Sequence, residues 1–269
     1  MLTNKPDESD EEYARLMYLE MMKSVVSAMI YGDKEKSVSV GVGRDRQTLG
    51  EFKEAHRKGG ADWPYLADTM TGIARLNNVR DLLMDVMKNG VKGGYIETGV
   101  WRGGSSIFAR AVLAAHGEAD NRISYVCDSF HGLPPGDRLL DPKDKNWDNT
   151  PYLEVASEIV AGSFSKYGLL DSNVIFVKGF FNESMAPLSK HIDNLSIMVS
   201  ITFYEVMRFN VVELLLTSPN TTIFYQRLDG DMYESTVDVL YNLYDKLSIG
   251  GYVIMDDVSV QLKFLFAAH

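Results

Sequence analysis

The sequence predicts an α/β protein built on a parallel β-sheet with helices on both faces. From Tyr95 onward, short apolar segments typical of buried strands alternate with longer segments whose apolar residues recur at helical spacing. The chain has 269 residues, of which 45% are hydrophobic, so it can bury a large core. Glycine-rich and acidic segments follow several predicted strands, which is where ligands bind in folds of this class.

The predicted elements after residue 94 follow this alternation. Strands are expected at 95–97, 123–127, 174–177 and 252–255, and helices at 105–116, 152–167 and 234–247. A polar loop rich in proline and aspartate spans 134–149. Because a helix separates successive strands, these strands are expected to run parallel.

Residues 1–61 are predicted to form an N-terminal extension of helices and flexible chain. A helix is expected at 11–29, a flexible connector with a weak hydrophobic pattern at 32–50, and a short helix at 50–58. A longer helix is expected at 67–89, ended by Asn89 and Gly90. The main domain is expected to span 62–257.

The composition excludes several classes of function. There are 27 Lys and Arg against 37 Asp and Glu, and the basic residues are not clustered, which argues against nucleic-acid binding. No apolar segment is long enough to span a membrane, and the polar, acidic start of the chain is not a secretory signal. The single cysteine, Cys127, excludes a disulfide framework and is typical of a cytoplasmic protein.

The strongest candidate for a ligand site is segment 97–104, Glu-Thr-Gly-Val-Trp-Arg-Gly-Gly, between a predicted strand and a helix. Its glycines allow a ligand to approach the backbone, and the helix start offers free N–H groups. The segment lacks the G-x-G-x-x-G pattern of dinucleotide-binding loops and the Gly-Lys-Ser/Thr of the P-loop. Its first residue, Glu97, would repel a pyrophosphate and suits a ligand with a cationic part, such as the amino group of S-adenosylmethionine. A turn that only packs against its neighbours is the alternative.

A second acidic residue, Asp128, ends the next predicted strand and is followed by Ser129. A carboxylate at this position can accept both hydroxyls of a ribose, as acidic residues do in nucleotide-binding α/β folds. The alternative is that Asp128 caps a loop. The glycine segment one strand earlier favours the ribose interpretation.

Four further aspartates, Asp229, Asp231, Asp256 and Asp257, follow two late strands that are expected to lie side by side. Carboxylates brought this close repel one another unless a cation or a retained proton lies between them. An all-oxygen site suits Mg²⁺, or else Mn²⁺ or Ca²⁺, rather than zinc. The alternative is that each aspartate caps a turn.

These segments resemble the macrocin O-methyltransferase family, whose members methylate sugar hydroxyls of macrolides with S-adenosylmethionine and Mg²⁺. The likeness extends over residues 62–190 and 227–257. The segments that carry it are 68–72, 75–78, 97–104, 128–130, 164–170, 227–233 and 256–257.

The resemblance implies a class I S-adenosylmethionine-dependent methyltransferase with a Rossmann-like sheet. The residues implied to bind the cofactor are Trp63, Met70, Glu97, Gly99, Trp101, Gly103, Gly104, Asp128, Ser129, Gly179, Phe180 and Phe181. Within this set, Trp63 and Met70 would close over the cofactor, Asp128 would hold the ribose, and 179–181 would lie near the adenine. Asp229, Asp256 and Asp257 would bind Mg²⁺.

The implied reaction transfers a methyl group to a hydroxyl of a sugar or another small natural product. Asp231 would act as the base, because a carboxylate can take the proton of a hydroxyl whose deprotonation Mg²⁺ has made easier. The resemblance also implies self-association, which no residue pattern in the chain itself indicates.

The chain departs from the family pattern in two places. Residues 199–226 interrupt a predicted core strand and contain only three charged residues. The segment begins with Val199-Ser200 and ends with Phe224-Tyr225-Gln226, which are residues that the splice signals at the two ends of an intron can encode. We interpret the segment as translated intron; a genuine loop is the alternative. Residues 258–269 are too few for the helix and two strands that the family pattern still requires, so we expect a truncated sheet and a chain that is poorly soluble or inactive.

Three other functions were weighed. A nicotinamide-dependent dehydrogenase would share the sheet, but it needs the G-x-G-x-x-G loop that is absent. A catechol-type methyltransferase uses a similar metal triad, with Asn in place of Asp257. A binding protein without catalytic activity is compatible with the insertion and truncation, although such a protein has no reason to gather the acidic residues.

Overall fold

The computed structural model describes residues 9–40, 47–133, 150–200 and 233–255. The helices are α1 (Asp10–Val26), α2 (Glu54–Gly59), α3 (Gly72–Lys88), α4 (Gly104–Ala115), α5 (Ser157–Lys166), α6 (Phe181–Ser189) and α7 (Tyr233–Leu243). The strands are β1 (Lys36–Val40), β2 (Gln47–Glu51), β3 (Trp63–Pro64), β4 (Gly94–Thr98), β5 (Ser124–Asp128), β6 (Val174–Lys178), β7 (Leu195–Ser200) and β8 (Leu247–Met255). Short 3₁₀ segments lie at Met29–Lys34, Pro151–Leu153 and Tyr244–Lys246.

The central sheet has five strands in the order β6-β5-β4-β7-β8, and all of its pairings are parallel. This confirms the predicted α/β class. The strand order reverses at β4, because β5 and β6 lie on one side of it and β7 and β8 on the other. In sheets of this type the crevice beyond the carboxyl ends at the reversal is the usual ligand site. The segment that follows β4 is the predicted ligand loop, 97–104.

Helices cover both faces of the sheet, as predicted. One face of β4 carries Tyr95, which packs in a core cluster with residues of α3 and α4. The opposite face carries Ile96, which packs with Met185 of α6 and Val239 of α7. Successive residues of a strand point to opposite faces, so a strand covered on both sides is apolar along its whole length. Every residue of β4 is buried, including Glu97.

The prediction of a flexible connector at 32–50 was wrong for the described residues of this segment, because most of them form strands. β1 pairs with β2 in antiparallel register and with β3, forming a separate three-stranded sheet in the order β2-β1-β3. All five residues of β2 are exposed, so this strand has no buried face to produce an alternating pattern in the sequence. The backbone hydrogen bonds of β2 do not require alternation of apolar and polar side chains, so the strand pairs with β1 without that alternation.

The long helix expected at 67–89 begins five residues late, at Gly72. The preceding residues are held in a non-helical link, because the N–H groups of Asp68 and Thr69 both donate to the carbonyl of Val26. The carbonyl of Asp68 in turn accepts from Gly104 N at 2.8 Å. These long-range hydrogen bonds override the helical spacing of the apolar residues in this segment.

Two further predictions concern where the short helix and the proposed insertion begin. The short helix expected at 50–58 lies at Glu54–Gly59. The proposed insertion begins inside β7, where Val199 is 2% exposed and pairs in register with Glu97. The rest of the insertion, after Ser200, lies outside the described residues.

None of the helices in the described ranges is both long and apolar enough to cross a membrane.

A buried ionic cluster organises the N-terminal segment. The side chain of Arg57 is fully buried, and its guanidinium contacts both carboxylate oxygens of Asp62 at 2.9 Å and Glu35 Oε1 at 3.3 Å. Glu35 Oε1 also accepts from the N–H groups of Tyr65 and Leu66. The cluster therefore fixes the path of the chain on both sides of β3, which carries Trp63.

We expect Arg57→Met to lower the free energy of unfolding by about 3–5 kcal/mol, because it leaves two buried carboxylates without their cation. Urea denaturation measures the loss. The matched control is Lys58→Met on the same helix, which removes only an exposed pair with Glu54 and should change the free energy by less than about 0.5 kcal/mol. Equal effects of the two substitutions would contradict this account of the cluster.

Candidate cofactor site at the carboxyl edge of the sheet

Three of the predicted cofactor segments meet at one edge of the sheet. Segment 97–104 leaves β4, Asp128 and Ser129 end β5, and segment 179–181 follows β6. Gly99 N donates to the carbonyl of Cys127 at 2.9 Å, and Gly179 N donates to the carbonyl of Asp128 at 3.0 Å. Backbone hydrogen bonds thus join the three strand ends in the order in which the strands lie.

The carboxylate of Asp128 caps the glycine loop. Its Oδ2 accepts from Val100 N at 2.8 Å and Trp101 N at 3.2 Å, and its Oδ1 accepts from Phe130 N at 2.9 Å. Ser129 Oγ is a hydroxyl donor within reach of both Asp128 Oδ1 at 3.3 Å and the carbonyl of Gly132 at 2.5 Å. Burial raises the pKa of Asp128, and the three N–H donors oppose that rise.

The loop cap that the sequence left as an alternative is therefore present. It does not use the whole carboxylate, because a carboxylate offers about four lone-pair positions and three backbone N–H groups occupy three of them. The remaining position, on Oδ1, faces Ser129 Oγ at 3.3 Å, and a ligand hydroxyl can take the place of this long contact. Asp128 can cap the loop and hold a ligand at once.

Glu97 is 1% exposed and lies where the strand order reverses. Its Oε2 accepts from the hydroxyl of Tyr95 at 3.1 Å and from the hydroxyl of Ser106, whereas its Oε1 has no hydrogen-bond partner among the described residues. Burial raises the pKa of Glu97 to about 7, with the nearby Asp128 as a smaller contribution in the same direction. A buried oxygen without a partner is rare in folded proteins and calls for an explanation.

Packing, rather than a ligand, accounts for the glycines at the end of the loop. A Cβ at Gly104 would lie 2.5 Å from the carbonyl carbon of Asp68, and one at Gly103 would lie 2.6 Å from Val160 Cγ1. Gly103 also has φ of +83°, a conformation that glycine adopts without strain. Gly104 allows the start of α4 to contact the 68–69 link, and Gly103 allows it to contact Val160 of α5. The other predicted glycine, Gly99, has φ of +85°.

The predicted aromatic residues form a stack with a residue that the sequence analysis did not single out. Trp63 stacks on Tyr152 with ring centroids 5.0 Å apart, and Trp101 lies 5.3 Å from the same ring. Trp101 Nε1 donates to the carbonyl of Tyr152 at 2.9 Å, and the guanidinium of Arg102 lies 4.1 Å above the Trp101 ring. Arg102 also donates to the carbonyls of Tyr65 and Ala67.

This stack joins β3, the glycine loop and the 3₁₀ segment at Pro151–Leu153. The side chain of Trp101 is 6% exposed and is held by protein groups, so this residue contributes its backbone to the loop edge. Met70 is 4% exposed and packs in the core cluster on the α4 face of the sheet. Tyr152 was expected to begin the helix at 152–167, but it lies in the 3₁₀ segment and that helix begins at Ser157. No pattern in the sequence marked Tyr152 as a site residue.

A second contact missed from the sequence lies on the link before α3. The hydroxyl of Tyr167 donates to Asp68 Oδ2 at 2.6 Å, and burial raises the pKa of Asp68. Both residues lie in segments that carry the family resemblance. Their contact packs the link against the end of α5, and this packing accounts for a part of the resemblance.

The predicted metal ligands Asp229, Asp256 and Asp257 and the predicted base Asp231 lie outside the described residues. Within the described ranges, no group of three or more His, Cys, Asp or Glu side chains could hold a metal ion. The described strands do reach the relevant edge: Ser200 of β7 pairs with both Thr98 of β4 and Met255 of β8.

A parallel sheet whose order reverses at a glycine loop, with acidic residues at its first two strand ends, defines a Rossmann-like fold that binds a nucleotide-type cofactor. The family model for macrocin-O-methyltransferase (TylF) matches residues 15–205 and 206–268. The chain belongs to this family, and it is an S-adenosylmethionine-dependent O-methyltransferase.

Relatives align over most of the chain. It is 37% identical over 252 residues to the 8-demethyl-8-(2,3-dimethoxy-alpha-L-rhamnosyl)-tetracenomycin-C 4′-O-methyltransferase of Streptomyces olivaceus, covering 93% of this chain and 82% of that protein. It is 36% identical to the demethyldecarbamoylnovobiocin O-methyltransferase of Streptomyces niveus, covering 90% and 79%. The structure of the O-methyltransferase NovP superimposes with a TM-score of 0.67 at 35% identity, covering 90% of this chain and 84% of that chain.

We expect Gly104→Ala to destabilise the protein by about 1–3 kcal/mol, because its Cβ would push the 68–69 link away from α4. Gly162→Ala in α5 is the matched control: nothing lies within 4 Å of its Cβ position, so the change should be neutral or stabilise by up to about 1 kcal/mol. Thermal unfolding of both variants tests this. A Gly104→Ala protein as stable as wild type would contradict the close contact.

Proposed function

We propose that this protein transfers the methyl group of S-adenosylmethionine to a sugar hydroxyl of a glycosylated natural product, with the assistance of Mg²⁺. The observation that carries the proposal is the meeting of the Glu97 loop, Asp128 and segment 179–181 where the strand order reverses. The name of the Streptomyces olivaceus relative specifies 4′-O-methylation of a rhamnosyl-bearing tetracenomycin. That name favours a sugar acceptor over a catechol.

Each part of the donor has a chemically matched group at this edge. The unpartnered Oε1 of Glu97 suits the amino group, and Asp128 Oδ1 suits a ribose hydroxyl in place of its long contact with Ser129 Oγ. Phe180 and Phe181 begin α6 directly after Gly179 and are half-buried, which suits an adenine ring. Trp63 and Met70 support the loop through packing in this proposal, and Trp63 closes the edge beside Tyr152.

The proposed metal site rests on the donor set and on where the described strands end. Met255 ends β8 at the same edge as Thr98, and Asp256 and Asp257 are the next two residues of the chain. Together with Asp229 they supply only carboxylate oxygens, which fits Mg²⁺. When bound, S-adenosylmethionine supplies an electrophilic methyl group, and Mg²⁺ lowers the pKa of a coordinated hydroxyl. The carboxylate of Asp231 accepts the hydroxyl proton.

The remaining proposals concern the setting of the reaction. We place the protein in the cytoplasm, on the ground that its single cysteine is a buried free thiol whose pKa burial raises. Its partner is the small-molecule acceptor, with no nucleic-acid or membrane partner. Self-association is proposed from the family resemblance alone.

We further infer that residues 199–226 are an insertion derived from an unspliced intron. The two matches to the family model meet between residues 205 and 206 and together cover this segment, so the proposal rests on the low charge of the segment and on the residues at its two ends. The only charged residues between Val199 and Gln226 are Glu205, Arg208 and Glu213.

With labelled S-adenosylmethionine, we expect the protein to methylate a rhamnosylated polyketide and not its sugar-free form; such transfer by the 269-residue chain would contradict the inactivity expected from its truncated sheet. Removing metal with EDTA should abolish transfer, and Mg²⁺ should restore it. Asp231→Asn should lower kcat by roughly 100-fold or more, as loss of a general base does. Asp245→Asn, at an exposed aspartate, is the control and should leave kcat unchanged. Undiminished transfer in EDTA would contradict the metal, and equal methylation of the sugar-free form would contradict the acceptor.

Sequencing the mature transcript tests the insertion. We expect a message in which the codon for Met198 is joined directly to the codon for Arg227. A message that uniformly retains the codons for 199–226 would show that the segment is a genuine part of the protein.

A further inference from the structure

No described residue supplies a counter-ion to the Glu97 carboxyl group, although it is the most enclosed acidic group at the proposed cofactor site. Its residue is 1% exposed, and its Oε1 has no hydrogen-bond partner within the described part of the chain. Its Oε2 accepts from the hydroxyls of Tyr95 and Ser106. Neutral hydroxyl donors stabilise a carboxylate far less than a cation would, and the charge of a buried carboxylate is costly unless it is paired.

The titratable groups that face Glu97 do not supply the missing positive charge. From its own strand it meets Tyr95, and from β5 it meets Cys127 and Asp128. The groups facing it from α4 are the hydroxyls of Ser105 and Ser106, and its register partner on β7 is the apolar Val199. Among these neighbours, the only group that ionises near neutral pH is another acid, which favours the neutral form of Glu97.

We propose that Glu97 holds a proton in the cofactor-free protein and gives it up to solvent when the ammonium group of S-adenosylmethionine reaches its free oxygen. The O–H bond of the carboxyl breaks, its electron pair stays on the carboxylate, and the ligand ammonium keeps its charge. Cofactor binding then replaces one buried proton with one buried cation, and the site stays electrically balanced in both states. This inference rests on the proposed function, because it needs a cofactor with an ammonium group at this position.

Proton release follows from linkage between the two equilibria. With a pKa of about 7, Glu97 is about nine-tenths protonated at pH 6 and about one-quarter protonated at pH 7.5. Deprotonation of Glu97 should therefore release about 0.9 proton at pH 6 and about 0.25 at pH 7.5, and at pH 7.5 an uptake of about 0.3 proton by the ligand amino group, whose pKa is about 7.8, offsets this release. The Kd for S-adenosylmethionine should be roughly fivefold weaker at pH 6 than at pH 7.5, because the proton of Glu97 must leave before the ion pair forms.

Isothermal titration calorimetry of the full chain in two buffers of different ionisation enthalpy measures this release. At pH 6, S-adenosylmethionine should show the release given above, whereas 5′-methylthioadenosine, which lacks the ammonium group, should bind with none. Glu97→Gln should bind S-adenosylmethionine more weakly, with no proton release and without the loss of affinity at pH 6. Release that persists in Glu97→Gln, or equal release by both ligands at pH 6, would overturn the inference.

Infrared difference spectroscopy on the wild-type protein gives a readout that does not require a folded variant. Addition of S-adenosylmethionine should remove the band of a protonated buried carboxyl and add a carboxylate band. Binding without these changes and without proton release at pH 6 would overturn the inference and leave the proposed function standing. Failure of S-adenosylmethionine to bind at any pH would contradict the proposed function and this inference with it.

Discussion

The carboxylate of Asp128 ties the end of β5 to the loop that leaves β4, and the geometry of the whole edge depends on that tie. By accepting from the N–H groups of Val100 and Trp101, it holds the loop open across the carboxyl ends of the strands. The carbonyl of the same residue accepts from Gly179 N and so positions the third strand end. A neutral side chain of similar shape would lose the strength of a charged acceptor at a buried site.

The far end of the loop is held by the N-terminal segment. Gly104 donates to the carbonyl of Asp68, and the missing Cβ lets the two chains approach. The buried Arg57 cluster and the Trp63–Tyr152 stack hold this segment in place from its other side. The N-terminal segment is therefore part of the structure around the cofactor loop, although most of it makes no hydrogen bond to the central sheet.

A carboxyl group such as Glu97 reduces the stability of the fold unless something compensates its charge. Proteins place such groups where function requires them, and local conflicts with folding rules accumulate at functional sites. The buried Glu35 follows the ordinary rule, since it contacts Arg57. Among the described residues only hydroxyl groups donate to Glu97, and this contrast supports the proposal that Glu97 is a ligand group.

The central sheet could be predicted from the sequence because strands buried on both faces are apolar along their length. The meeting of Glu97, Asp128 and Gly179 followed, since parallel strands share one carboxyl edge. β1 and β2 could not be predicted, because exposed strands leave no hydrophobic alternation. The late start of α3 depends on hydrogen bonds to Val26 and Gly104, and the capping role of Asp128 depends on loop N–H groups that only the folded chain brings near.

The central claim is that the edge formed by β4, β5 and β6 holds the methyl donor. A crystal structure of the protein with S-adenosylhomocysteine tests this claim directly. The account predicts the amino group within hydrogen-bond distance of Glu97 Oε1, a ribose hydroxyl on Asp128 Oδ1, and the adenine beside Phe180 and Phe181. A ligand bound at any other face of the sheet, with Glu97 Oε1 still unpartnered, would contradict it.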